Sequence, residues 1–221
     1  MDKFIIFGAG QHCNVVIYNA KAQNKHEPIA IADSNPDKKG QYIDNIPIEY
    51  YDIDDPSTIN DIVNKYQTNR FFIGFGNMKH RKRVFEVLIG MGLEPINIFH
   101  PDAIISPQAK IGKGVLIECG CLVTPNPTIG DNVVVNTGSQ VNHDNTIESH
   151  VYIASGVVLS GGVTIKENTL IDDGVIITLG RSVGSNCIIG AGAVVTKNIG
   201  DNVVGYGSPC RIVRENSFST D

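Results

Sequence analysis

Two short stretches of the chain carry residue types that do chemistry. The first is Val141-Asn142-His143-Asp144, which sets an imidazole beside a carboxylate. An imidazole titrates near neutrality and can accept the proton of an attacking amine or hydroxyl, an effect worth roughly 10²–10⁴ in rate. A neighbouring carboxylate favours the protonated ring and so strengthens the base. Taken alone, the pair reads equally well as a hydrated turn. The second stretch is Gly8-Ala9-Gly10, followed by Asp33 twenty-three residues after Gly10. A glycine turn at a helix start lets backbone amides approach a phosphate, and an acidic residue at that distance can accept hydrogen bonds from a ribose. A full dinucleotide fingerprint needs a third Gly where this chain has Cys13, so the spacing points to a nucleotide more than to NAD. Tight packing of the turn without a ligand is the structural alternative.

The elements around the glycine turn read as alternating strands and helices. Residues 3–9 form a buried strand that runs into the turn, and a helix is expected from about 14 to 22. A second apolar run at 28–32 ends in Asp33, and a third at 70–76 precedes a basic helix at 78–90. Strands alternating with helices predict a small parallel sheet with its ligand at the carboxyl ends of the strands.

His143 sits in a different pattern. Stepping six residues at a time from Ile105 to Val195 lands on an aliphatic residue at every step, and the fifth place of each hexad is often small or β-branched. A helix needs a spacing of 3.6 and a two-faced strand a spacing of two. A period of six fits a coil with three flat sides, eighteen residues per turn, its aliphatics stacked along the axis. Gly161, eighteen residues beyond His143, then lies one coil on. There the missing side chain leaves room, and a backbone N–H could meet a developing oxyanion; a simple corner at Gly161-Gly162 is the alternative. Asp173 and Ala191 stack by the same spacing. The segment Asn97-Ile98-Phe99-His100-Pro101 marks the junction, since Pro101 forces an extended approach. The expected division is 1–99, 100–215 and a tail at 216–221.

Composition excludes several function classes. The net charge is −5 with no basic run, which leaves nucleic-acid binding by counterion release little to work with. No apolar stretch reaches the roughly 18 residues of a membrane span, and the start lacks the features of a signal peptide, so a cytoplasmic protein is expected. The five cysteines are scattered without a CxxC pair, which argues against disulfides and a thiolate metal site. With only 7% aromatics and no Trp, small branched residues must fill the interior.

The hexads, together with Gly8-Ala9-Gly10-Gln11-His12, Asp33, His100-Pro101 and Val141-Asn142-His143-Asp144, resemble one branch of the hexapeptide-repeat acyltransferases. That branch holds sialic acid O-acetyltransferases and N-acetyltransferases of nucleotide-linked 4-amino sugars. The resemblance implies a Rossmann-like amino-terminal domain followed by a left-handed parallel β-helix, the handedness coming from the resemblance alone. It implies a homotrimer using acetyl-CoA as cosubstrate, with a nucleotide-linked amino sugar as acceptor, in particular a UDP-4-amino-4,6-dideoxy sugar, and no metal. It assigns His143 as general base and Asp144 as its acidic neighbour, and Gly10, Gln11, His12, Asp33, Ser34 and Gly76 as sugar-nucleotide contacts. Asp173 and Ala191 match backbone positions that hold pantetheine. Relatives commonly carry a second His nine residues past the base; here Tyr152 stands there, with His150 two places earlier, so that the Tyr152 hydroxyl or a shifted His150 takes over that cofactor contact, or the contact is dispensable. The same features fit sugar or sialic acid O-acetylation, and a non-catalytic sugar-nucleotide-binding module is the reading from a different class.

Overall fold

The structure, a computed structural model, describes residues 1–216. It divides into two compact units, Met1–Ile98 and Phe99 onward, each with its own core.

The first unit runs β1 (Asp2–Phe7), α1 (Gln11–Gln23), β2 (His26–Asp33), β3 (Tyr42–Ile43), β4 (Ile46–Tyr50), α2 (Pro56–Tyr66), β5 (Arg70–Ile73), α3 (Met78–Gly90) and β6 (Glu94–Pro95). These strands form one sheet in the order β3-β4-β2-β1-β5-β6, parallel except for the β3–β4 hairpin. Phe4 to Phe7 of β1 are fully buried, the continuous apolar run expected of a strand covered on both faces. The β3–β4 turn uses Asp44 and Asn45, both with positive φ, as a tight hairpin requires. Helix α1 starts directly at Gln11 rather than near residue 14, because Gly10 serves as its N-cap without a side-chain hydrogen bond and so left no capping signal in the sequence. From β1 the chain crosses through α1 to β2 on one side, whereas β5 pairs on the other side. The connections therefore diverge at the carboxyl ends of β1 and β5, which opens a crevice there.

The second unit is a left-handed parallel β-helix of two-residue strands in three sheets. Its registers step by eighteen residues, as in Val123↔Val141↔Leu159, Ile129↔Ile147↔Ile165 and Val135↔Ile153↔Ile171. The second residue of each strand points inward; from Ile117 to Val195 these are 1% exposed or less. Each such burial contributes roughly 1.5–3 kcal/mol. The fifth place of the hexads forms a second inner row, for example Val133, Val151, Val163 and Val175. Where that row is polar, the next coil satisfies it: the Ser139 hydroxyl accepts from Val157 N–H, the Asn145 carboxamide from Val163 N–H, and the Thr169 hydroxyl from Cys187 N–H. Corners are turned by left-handed residues, among them Asn126, Asn132, Asp144, His150, Asn168 and Asn186. These are the side-chain types that tolerate that conformation best after Gly. Strands Val203–Tyr206 and Arg211–Glu215 close the array as an antiparallel pair. Of the tail expected at 216–221, residues 217–221 lie outside the described residues.

Candidate active site

The His143 corner lies between the sheet containing Gln140–Val141 and the sheet containing Thr146–Ile147. Asp144 turns this corner at φ +59, which swings its carboxylate back toward the preceding residue. Its Oδ2 stands 2.9 Å from His143 Nδ1, so Nδ1 carries the proton and Nε2 is the free basic atom. The other oxygen, Oδ1, accepts from the Asn126 carboxamide of the preceding coil at 3.4 Å. These contacts, the histidine first and Asn126 second, hold the Asp144 carboxyl below its ordinary value. His143 is largely exposed, and its ring lies against Gly161. A Cβ at Gly161 would come within 2.4 Å of both Cε1 and Nε2. The corner is rigid beneath the ring: Gly162 N–H donates to the His143 carbonyl, and Asn142 and Asn145 bond the next coil. The Gly161 N–H donates to no main-chain carbonyl among the described residues.

The other predicted positions of this unit lie elsewhere on the prism. Asp173 and Ala191 occupy successive coils at the corner between the sheets of Leu170–Ile171 and Ile176–Ile177, where Gly192 N–H donates to the Asp173 carbonyl. The Asp173 side chain is itself engaged by Ser155 N–H at 3.0 Å. This corner and that of His143 bound the same sheet, whose outer surface carries half-buried Val158 and Val194 and exposed Ile176. Tyr152 is on a different sheet, its hydroxyl 3.4 Å from the Asn136 carboxamide. His150 does not share a strand with Tyr152. It turns a corner at φ +63 and is buried, its Nδ1 against the Asn132 carboxamide at 2.9 Å. A left-handed corner falls between two-residue strands, so alternation along one strand does not reach from 150 to 152.

In the first unit, a cavity of about 310 Å³ opens at the carboxyl ends of β1 and β5. It brings Gly10, Asp33 and Ser34 together, while Gln11, His12 and Gly76 are not in its lining. Gly8 is needed for its backbone: its φ is +112, and a Cβ would meet the Phe75 ring at 2.2 Å. Asp33 closes the turn from below, its carboxylate accepting from Ala9 N–H at 2.7 Å and from Asn35 N–H at 2.9 Å. The helix that follows has no acidic residue in its first turn, which suits an anion at its start. His12 is packed inward; burial, helped by the nearby Arg81 guanidinium, pulls its imidazole down to about 4. Cys13 is equally inert, its thiol pushed up to about 12 by burial.

Sequence reasoning missed Lys38, Tyr51, Phe75, Asn77, His80 and Arg83, which also line this cavity. Asn77 had a readable signal, an N-cap residue just before a basic helix, and its carboxamide accepts from His80 N–H. Lys38 sits in a short 3-10 turn with no chemical signature. At the other site, Asn126, the residue one coil before Asp144, was missed as well.

Comparison with known proteins fits both halves of this picture. Residues 3–88 match the PglD N-terminal domain family. No curated protein matches the chain. Among solved structures, PerB from Caulobacter crescentus in complex with CoA and GDP-perosamine is 27% identical, with a TM-score of 0.88 over 97% of this chain and 98% of that one. A histidine-to-asparagine variant of perosamine N-acetyltransferase from the same organism gives 0.89 at 26% identity over the same shares. The acetyltransferase domain of PglB from Neisseria gonorrhoeae in complex with acetyl coenzyme A gives 0.84 at 28% identity, over 96% and 98%. A three-sided β-helix with an exposed histidine–carboxylate corner, joined to this kind of amino-terminal unit, defines a hexapeptide-repeat acyltransferase. Residues 3–88 carry the PglD N-terminal domain, and over nearly its whole length the chain is similar to sugar acetyltransferases of that kind.

Proposed function

We propose that this protein transfers the acetyl group of acetyl-CoA to the amino group of a nucleotide-linked amino sugar. The observation that carries the reading is the His143 ring, exposed, tethered at Nδ1 by Asp144 and seated against Gly161 through its Cε1–Nε2 edge. Acetyl-CoA supplies an activated thioester carbonyl. The amine attacks that carbon, a C–N bond forms, the C–S bond breaks, and CoA leaves as the thiolate, which becomes the thiol when the protonated His143 returns its proton. His143 Nε2 takes the proton that the amine sheds, and Asp144 offsets the charge that appears on the ring. The Gly161 N–H, which donates to no main-chain carbonyl among the described residues, is the donor available to the carbonyl oxygen as it gains charge.

The corner of Asp173 and Ala191 bounds the same sheet as His143, and the apolar strip between suits the pantetheine arm. A homotrimer is part of the proposal: Ile104, Ile176 and Leu179 of the second unit are exposed, which favours burial against another copy. The acceptor's nucleotide goes to the first unit's cavity. Its volume is at the lower end of small-ligand sites, and it joins cationic groups to the Tyr51 and Phe75 rings. Sequence resemblance suggests a UDP-linked 4-amino-4,6-dideoxy sugar; the likeness to a relative crystallised with GDP-perosamine supports a GDP carrier equally.

The test is thiol release from acetyl-CoA against UDP-, dTDP- and GDP-linked 4-amino sugars and free sialic acid. An amino sugar should be the preferred acceptor, and the His143→Asn variant should lose at least about 10²-fold in kcat while still binding acetyl-CoA. Transfer only to sialic acid would make the enzyme an O-acetyltransferase. Full turnover by His143→Asn would remove the imidazole from the reaction.

A further inference from the structure

We propose that Lys38 is the phosphate-binding cation of the first unit's cavity, and that a nucleoside diphosphate binds by drawing the Lys38 ammonium off the Asp33 carboxylate. This rests on the reading that the cavity holds the acceptor's nucleotide. Both residues line the cavity. Lys38 Nζ lies 3.0 Å from Asp33 Oδ2 and 3.2 Å from the carbonyl oxygen of Ala9, inside the glycine turn. Arg83, another lining cation, is held by Asp54, which does not line the cavity. Lys38 is thus the cation whose counter-ion faces the same space.

The exchange costs little at either end. Once the ammonium leaves, Asp33 keeps the N–H donors of Ala9 and Asn35, so its carboxylate remains hydrogen-bonded. A carboxylate offers about four acceptor sites, and the one vacated faces the cavity, where it can receive a ribose hydroxyl. The ammonium trades one carboxylate for a more highly charged diphosphate, in charge-assisted bonds of the stronger kind. Lys38 suits the transfer: its side chain is one third exposed, and it springs from the turn Pro36–Lys38, anchored by the Asn35 carboxamide accepting from Asp37 N–H. The flexible stem can reorient without moving that turn.

Isothermal titration calorimetry on the full chain tests this with UDP, UMP and uridine, and with GDP, GMP and guanosine. The wild type should bind the preferred diphosphate about 10-fold more tightly than its monophosphate, as expected for a charge-assisted contact to the second phosphate. Lys38→Met should erase that preference while changing monophosphate affinity little, and Lys38→Arg should keep it. If Lys38→Met does not fold, Lys38→Gln, which retains a donor for Asp33, gives the same reading. A Lys38→Met or Lys38→Gln protein that still prefers the diphosphate as the wild type does would overturn the proposal. A wild type that binds none of these nucleotides would overturn it together with the assignment of the cavity. The two failures are distinct, since in the first the wild type binds.

Discussion

The orientation of the His143 ring depends on what lies on either side of it. Asp144 fixes the protonated nitrogen, Asn126 fixes Asp144, and Gly161 supplies the floor on which the imidazole rests. Gly161→Ala is the sharpest probe, since its Cβ would enter the ring's position while the backbone there is not left-handed. We expect kcat to fall by about 10², the scale of a misplaced general base, with the melting temperature little changed. An Ala variant of near wild-type kcat would show that the ring need not lie there. Asp144, held below its ordinary value, stays ionised throughout the neutral range, so its support of the ring is lost only in strong acid. Much of this corner was legible: His143-Asp144 stood out by type, and the eighteen-residue step delivered Gly161. The bond from Asn126 was equally accessible by stacking, but asparagines recur at many corners for conformational reasons, and sequence does not separate those from one that holds a carboxylate.

At the scale of elements, the crossing β1–turn–α1 stores an acid-sensitive residue. His12 is neutral in the folded unit, its imidazole held at about 4, whereas in an unfolded chain it titrates near 6.5. The unfolded state therefore binds more protons between those values, and the first unit must lose stability as pH falls through that window. The contribution is at most on the order of 3 kcal/mol. Burial also lowers His26, which acts in the same direction. Denaturant unfolding followed by circular dichroism, apt for a chain without Trp, should show stability rising from pH 4.5 to 6.5. His12→Gln should reduce that slope; an unchanged slope would mean that His12 does not titrate as described. The strand, turn and acidic residue of this crossing were readable from apolar runs and glycines. Helix α2 went unread although Asp55-Pro56 is a start signal, because its alternating polar residues carry only Ile59 and Ile62 into the core. The lining residues Lys38, Tyr51 and Arg83 were invisible for a deeper reason: they converge only once β2, β4 and α3 are placed side by side.

For the whole molecule, the period of six specified the three-sided prism and its filling but not its hand. It left the outward residues unassigned. Those residues differ by side: Thr128, Thr146, Thr164 and Ser182 make one sheet polar outside, while Leu122, Val158, Ile176 and Val194 make another largely apolar. Sedimentation velocity should find the proposed trimer in the wild type and monomers in Ile176→Asp, with acetyl transfer depressed and the β-helix intact because Ile176 faces outward. Undiminished trimers would locate the subunit contact on another side.

The left-handed asparagines, serine and threonine rungs and aliphatic rows all repeat at one interval, so the molecule is threaded like a screw. Length can be added or removed without disturbing what lies beyond only in whole turns. A shorter insertion must bulge out at a corner, or it rotates every later side chain onto the wrong face. A chain built this way varies by loops at its edges and by complete coils, and the distance from His143 to any contact on a later coil is set by the number of turns between them.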